Sequence, residues 1–120
     1  MKIIVAGSRD IKDKDLVWGI IDRVIKDKNL DDDEITIVTG GARGVDLMAE
    51  QLAKLMSWKS VVMNADWTKH GKSAGPIRNR EMAKVSDMLI AIWDGESRGT
   101  KNMISEAKQR GLDVVVEIVK

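Results

Sequence analysis

Arginines, hydroxyl-bearing residues and glycines recur together in four short stretches of this 120-residue chain. They read Gly7-Ser8-Arg9-Asp10, Gly40-Gly41-Ala42-Arg43-Gly44-Val45-Asp46, Gly71-Lys72-Ser73-Ala74-Gly75-Pro76 and Asp94-Gly95-Glu96-Ser97-Arg98-Gly99-Thr100. Each follows a short apolar run and precedes a segment with helical spacing. Glycine lets backbone N–H groups approach an anion, and a helix N-terminus adds the positive end of its dipole. Arginine adds a planar fork of donors that suits phosphate or carboxylate oxygens. The chemistry these stretches share is recognition of a phosphate-bearing small molecule.

The elements that must position these loops alternate from end to end. Lys2 to Ala6 is a continuous apolar run, as in a strand buried on both faces. From Asp13 to Lys28, two i, i+4 series (Leu16, Ile20, Val24 and Val17, Ile21, Ile25) form one broad helical face. Ile35–Val38 reads as the second strand. Val45, Met48, Ala49, Leu52, Leu55 and Met56 then mark an amphipathic helix. Lys59–Met63 is the third strand, and Pro76 suits the first turn of a helix running to Lys84. Asp87–Trp93 is the fourth strand. A helix through Thr100, Met103, Ile104 and Ala107 ends at Gly111, and Val114–Val119 is the fifth strand. This βαβαβαβαβ order predicts a single α/β domain over residues 1–120. Its expected form is a Rossmann-like three-layer α/β/α sandwich around a five-stranded, mainly parallel sheet. Parallel strands would gather the loops at the carboxyl edge of the sheet, where open α/β folds place their ligands.

Composition narrows the class further. A formal net charge of +1 is weak support for a surface dedicated to nucleic acid or anionic membrane. Without cysteine there is neither a disulfide framework nor a thiolate metal site. The N-terminal stretch Ile3-Ile4-Val5-Ala6 is too short for a signal peptide, and no apolar run has membrane-spanning length. The expectation is a cytoplasmic protein. The acidic run Asp31-Asp32-Asp33-Glu34 reads as a solvated turn, so no metal and no cofactor are expected.

Two familiar phosphate motifs fail by single positions. Gly71-Lys72-Ser73 resembles the end of a P-loop, but the earlier glycine of that motif falls on Asp66. Thr39-Gly40-Gly41-Ala42-Arg43-Gly44 holds two of the three dinucleotide-fingerprint glycines, with Thr39 in the first place. His70 is the only histidine, which disfavours zinc sites and serine triads, and it reads as an exposed loop residue.

The four glycine-bearing motifs, with Gly-Pro-Ile-Arg-Asn-Arg-Glu-Met from Gly75, resemble the YspA-type, YpsA-related branch of the SLOG superfamily. The resemblance runs along nearly the whole chain with the motifs in order. It implies a Rossmann-like sheet, a nucleotide or nucleotide-derived ligand, and a homodimer. The superfamily includes DprA-type DNA-processing proteins and the LOG phosphoribohydrolases, which cleave nucleoside monophosphates at the N-glycosidic bond. Arg78, Glu81-Met82-Ala83, Ser86-Asp87 and Gly99-Thr100 are similar to the LOG pattern. The glutamate those enzymes carry three residues after the threonine is Met103 here, and the preceding loop holds Glu96 and Arg98 instead of paired glycines. The expected function is therefore binding of a nucleotide-type phosphate ligand, in a sensing or sequestering role. A phosphoribohydrolase-like nucleotide hydrolase and a DprA-like nucleic-acid module are the alternatives.

The ligand-binding set follows from the loops. Gly99 and Thr100 are expected at phosphate, with an N-cap role for Thr100 as the plainer alternative. Arg98, Arg43 and Arg78 are expected as anion forks, with Asn79 beside Arg78 and Arg80 evenly balanced between an anion and a salt bridge. Gly40 and Gly41 suit close backbone approach, and Gly44 suits tight helix–strand packing. Gly7, Ser8 and Arg9 form one expected wall, with Asp10 read as the cap of the following helix. Asp46 suits a ribose hydroxyl, with an ordinary acid favoured by the helix dipole as the plainer alternative. Trp67 and Trp93 are candidates for stacking on a base, with core anchoring as the commoner role of such aromatics, while Trp18 and Trp58 read as packing residues. Should the chain be a hydrolase, Asp46, Glu81 and Glu96 are the candidate carboxylates, with Asp66 and Asp94 behind them. Lys69, Lys72, Arg78, Arg80 and Lys84 form the basic strip of the nucleic-acid alternative.

Overall fold

A computed structural model describes residues 1–120. Five strands form one all-parallel sheet: β1 Lys2–Gly7, β2 Thr36–Thr39, β3 Lys59–Val62, β4 Met88–Trp93 and β5 Asp113–Ile118. Their spatial order is β3-β2-β1-β4-β5. The helices are α1 Lys14–Asp27, α2 Val45–Leu55, a short α3 Trp67–His70, α4 Ala74–Val85 and α5 Arg98–Gln109.

Strand alternation sorts the core into two layers. Ile3 and Val5 of β1, Ile37 of β2, and Met88, Ile90 and Ile92 of β4 pack with Val17, Ile21 and Val24 of α1 and Ala49 and Leu52 of α2. Ile4, Ala6, Val38, Leu89 and Ala91 face the opposite way, onto Met82 and Ala83 of α4 and Met103, Ile104 and Ala107 of α5. Both β1 and β4 are therefore buried on both faces, which explains why they read as unbroken apolar runs. Each long helix lies between successive parallel strands, and the result is the expected Rossmann-like three-layer architecture. No helix is long and apolar enough to cross a membrane.

Several boundaries and caps differ from the sequence reading. The cap of α1 is Asp13, whose carboxylate accepts the Leu16 N–H at 3.1 Å, and not Asp10. The third glycine stretch does not follow β3 directly. Asp66 caps the intervening α3 by accepting the Lys69 N–H at 3.0 Å, so Trp67 sits on a helical turn and not in an open loop. Gly44 packs loop against loop instead of helix against strand. A Cβ there would meet the Ser8 carbonyl oxygen at 2.7 Å and that of Arg9 at 2.6 Å, with φ at +79°. Gly44→Ala should accordingly lose about 2 kcal/mol or more of stability, from left-handed backbone strain and overpacking together. Thermal denaturation checks this: an unchanged midpoint would mean the two loops separate without penalty.

Candidate functional site

The site is built where the connections from β1 and β4 leave adjacent strands in opposite directions, toward β2 and β5. Ser8, almost fully buried, ties the two exits together. Its N–H donates to the Ile92 carbonyl at 3.2 Å, and its Oγ accepts the Asp94 N–H at 3.1 Å. Asp94 in turn accepts the Glu96 and Ser97 N–H groups, each at 2.8 Å. The bonds from Ser97 and then Glu96 hold the Asp94 carboxyl below its ordinary range. Asp94 is thus the internal brace of the β4–α5 loop.

The β2–α2 loop is folded around a second carboxylate. Asp46 is buried, and its Oδ2 accepts the Gly40 N–H at 3.0 Å and the Ala42 N–H at 3.4 Å. Burial pushes this carboxyl up from 3.8 to about 6, against the opposing pull of those N–H groups and of Arg78. Glu50 adds to the upward push. Thr39 Oγ1 donates to Glu50 at 3.0 Å and accepts the Gly41 N–H at 3.4 Å.

Arg78 projects from α4 into the same corner and ties the exits of β2 and β3 together. Its Nη1 donates to the Gly40 carbonyl at 2.7 Å and the Met63 carbonyl at 3.5 Å, while Nε donates to Asn79 Oδ1 at 2.9 Å. Gly40 has no room for a Cβ because the Arg78 guanidinium lies against it. Burial draws the Arg78 guanidinium below its ordinary value; Asp46 opposes that shift and the nearby Arg9 adds to it. Neither Arg78 nor Arg9 forms an ion pair. Asn79 completes the arrangement, its Nδ2 donating to Asn102 Oδ1 at 2.9 Å and to the Gly99 carbonyl at 3.3 Å.

Three contiguous cavities open around these two arginines. A narrow inner one of about 70 Å³ lies between Gly7, Ala42, Asp46, Gly99 and Thr100. An outer lobe of about 390 Å³ extends over Gly40, Gly41, Arg43 and Asn64. A second outer lobe of about 330 Å³ extends over Lys72, Gly75, Arg98 and Asn102. Arg9 and Arg78 line all three, and Trp67 lines both outer lobes. The helix ends at this corner carry no side-chain caps: α2 begins after Gly44 and α5 after Ser97 without one. The α1 N-terminus is capped by a carboxylate. Uncapped first-turn N–H groups are free donors for an anion.

The expected ligand residues therefore fall into distinct groups. Arg9, Gly40, Gly41, Arg43, Asp46, Arg78, Asn79, Arg98, Gly99 and Thr100 all line one or more of the cavities. Thr100 is the third residue of α5 and not its cap, and it is buried against the inner cavity. Arg43 also reaches Asp10 at 3.7 Å. Gly7 lines the inner cavity, but the place of its missing Cβ is taken by the Ile92 carbonyl and Val45. Ser8 and Gly44 shape the loops from behind.

Other candidates lie elsewhere. Trp93 donates its indole N–H to the Ser97 carbonyl at 3.0 Å and packs against the α4–α5 layer, away from the lobes that Trp67 borders. Arg80 faces α5, where Nε is 3.4 Å from Glu106. Glu81 pairs with Lys84 at 3.2 Å on exposed α4 surface, and Glu96 is exposed in the β4–α5 loop. Of the five candidate carboxylates, only Asp46 lines these cavities. Asn64 and Asn102 are lining residues the sequence reading missed. Asn64 follows the carboxyl end of β3 and Asn102 stands three residues after Gly99 on α5, so strand ends and i, i+3 spacing were the available signals.

Comparison with known proteins agrees with this architecture. A model of the YspA, cpYpsA-related SLOG family matches residues 1–70. The Gene 61 protein of Mycobacterium phage D29 is 33% identical over 120 residues, covering 95% of this chain and 94% of that protein. Among solved structures, DNA processing protein A of Streptococcus pneumoniae superposes with a TM-score of 0.70 at 19% identity, over 96% of this chain and 49% of that one. This chain thus spans about half the length of that neighbour. The protein TM1055 superposes with a TM-score of 0.69 at 18% identity, over 94% of this chain and 71% of that one. At such identities the two structures speak for the fold, whereas the match to the family model covers more than half of the chain. The chain belongs to the YspA, cpYpsA-related SLOG family.

Proposed function

We propose that residues 1–120 act as one binding domain for a nucleotide or nucleotide-derived phosphate ligand, in a sensing or sequestering role. The observation that carries this reading is the pair Arg9 and Arg78, which border every cavity of the cleft without an ion-pair partner. Arg9 acts on Arg78 as a like charge, and an anion bound between them would relieve that repulsion. The uncapped starts of α2 and α5 point the same way. Phosphate would occupy the narrow inner cavity beside Gly99 and Thr100, and the base would lie in an outer lobe against the exposed Trp67.

The test is thermal denaturation with nucleoside monophosphates, cyclic nucleotides and diphosphate-linked nucleotides. At about a hundred times its dissociation constant, a ligand stabilises the folded state by about 2.7 kcal/mol. A selective rise in midpoint, lost in Arg98→Ala and Thr100→Val, is the expected result. No rise with any phosphate ligand removes the reading.

The hydrolase reading draws support from Asp46 alone, and that carboxylate is already engaged by two backbone N–H groups. The nucleic-acid reading draws on Trp67, an exposed aromatic within an arginine-lined groove, and on the similarity to a protein named for DNA processing. Single-strand affinity that did not fall with salt would exclude phosphate contacts as its source. A homodimer, implied by the family, is supported by exposed Val61 and Val62 on the edge strand β3 and is checked by sedimentation.

A further inference from the structure

The shape of the cleft says more about its ligand than that it carries phosphate. The inner cavity is small, and it shares Arg9 and Arg78 with two larger cavities of about 390 and 330 Å³. Small-molecule sites generally measure roughly 300–1,000 Å³, so each lobe alone is large enough to hold one compact organic ligand. The lobes are arranged around a shared centre. Arg9, Arg78 and Trp67 border both, while Asn64 belongs only to the first and Asn102 only to the second.

Charge follows the same symmetry. Arg9 and Arg78 occupy the centre, Arg43 the first lobe, and Lys72 and Arg98 the second. The only carboxylate lining any of the three cavities is Asp46, at the inner one. A mononucleotide with its phosphate at the centre would fill one lobe and leave the polar side chains of the other without ligand contacts. Asn64 offers a side-chain donor and acceptor to a base edge in the first lobe, and Asn102, whose Oδ1 accepts from Asn79, offers its amide donor in the second. A single indole bordering both lobes supplies apolar surface to a ring on either side.

Resting on the nucleotide reading above, we propose that the ligand is a dinucleotide. Two nucleosides joined through phosphate would place the bridge at Arg9 and Arg78 and one nucleoside in each outer lobe. The bridge chemistry, one phosphodiester or a diphosphate, is shared by several natural ligand classes, and both forms satisfy the central arginines.

Isothermal titration of the full chain with three probes tests this: adenosine monophosphate, diadenosine diphosphate and the phosphodiester adenylyl-adenosine. One of the two dinucleotides should bind with one molecule per chain and at least tenfold tighter than the monophosphate, because linkage makes the second nucleoside's binding intramolecular. Which of them binds tighter identifies the bridge. Ala65→Phe, placed in the first lobe, should bring the dinucleotide to within about threefold of the monophosphate, since the linkage advantage disappears when one lobe is blocked. Monophosphate binding equal to or tighter than that of both dinucleotides overturns the dinucleotide while leaving the nucleotide reading intact. A tenfold preference that survives Ala65→Phe also overturns it, because the second nucleoside would then lie outside the lobe. Absence of binding by all three probes defeats both readings together.

Discussion

Arg78→Ala is expected to weaken binding of a phosphate ligand by about thirtyfold or more and to destabilise the free protein as well. The first effect follows from the loss of a charge-assisted hydrogen bond, about 2 kcal/mol for a partly buried donor. The second follows from what the guanidinium does without ligand. Its Nη1 satisfies the Gly40 and Met63 carbonyls, which belong to the exits of β2 and β3. Removing it leaves both carbonyls without that donor and takes away the cation that favours ionised Asp46. About 1–3 kcal/mol of stability should be lost. Arg78→Lys separates the two effects, because lysine keeps the charge but cannot hold the carbonyls and an anion with one planar fork. It should fold better than the alanine variant and still bind poorly. Calorimetric affinity for the best-binding probe, with denaturation midpoints of the free variants, checks both parts. Unchanged affinity in Arg78→Ala would move the anion away from the centre of the cleft.

How much of this was legible in the sequence depends on the range of the interaction that decides it. The two-faced strands Lys2–Gly7 and Met88–Trp93 announce themselves, since burial on both sides demands unbroken apolar residues. Once these were placed, right-handed crossovers left little freedom in the sheet, and the gathering of the glycine loops at one edge followed. The short α3 was missed because four residues carry no periodicity; its only signal is the Asp66 cap, with its partner at Lys69.

The site was legible as a set of residues and not as a set of contacts. Glycine, arginine and helix starts mark loops suited to anions locally. By contrast, Arg78 meets Gly40 across 38 positions of sequence, and Asn79 meets Asn102 across 23. No local spacing encodes either pairing. The two tryptophans show the same limit. Both stand beside glycine-bearing or polar loops, yet Trp93 turns its N–H into its own loop while Trp67 stays at the cleft. By sequence Asp46 suits the ligand, and the structure gives it a prior task in holding Gly40 and Ala42.

That task makes Asp46 the source of a second large effect, on the pH dependence of stability. Its carboxyl is raised from 3.8 to about 6, chiefly by burial. Between these values the folded chain keeps a proton that the unfolded chain has released, so stability falls as pH rises through this window. Above about pH 6 both states are ionised and the full penalty is present, roughly 3 kcal/mol at 1.36 kcal/mol per unit. Asp94 runs the other way, since its carboxyl is lowered. Its contribution is complete above the ordinary carboxylate range and is lost only at lower pH, so it does not mask the window. The denaturation midpoint of the free protein should therefore fall between pH 4.5 and 7, and Asp46→Asn should flatten the profile while keeping an acceptor for the Gly40 N–H. Ligand binding should share the same proton. An anion beside Arg78 adds negative charge next to Asp46 and raises its carboxyl further, so binding near neutral pH takes up a proton and weakens as pH rises. Diadenosine diphosphate suits this measurement because its phosphate diester charges do not titrate there. Calorimetry in buffers of different ionisation enthalpy should show proton uptake in the wild type and none in Asp46→Asn. Binding without uptake in both would place the anion out of reach of Asp46 and outside the inner cavity.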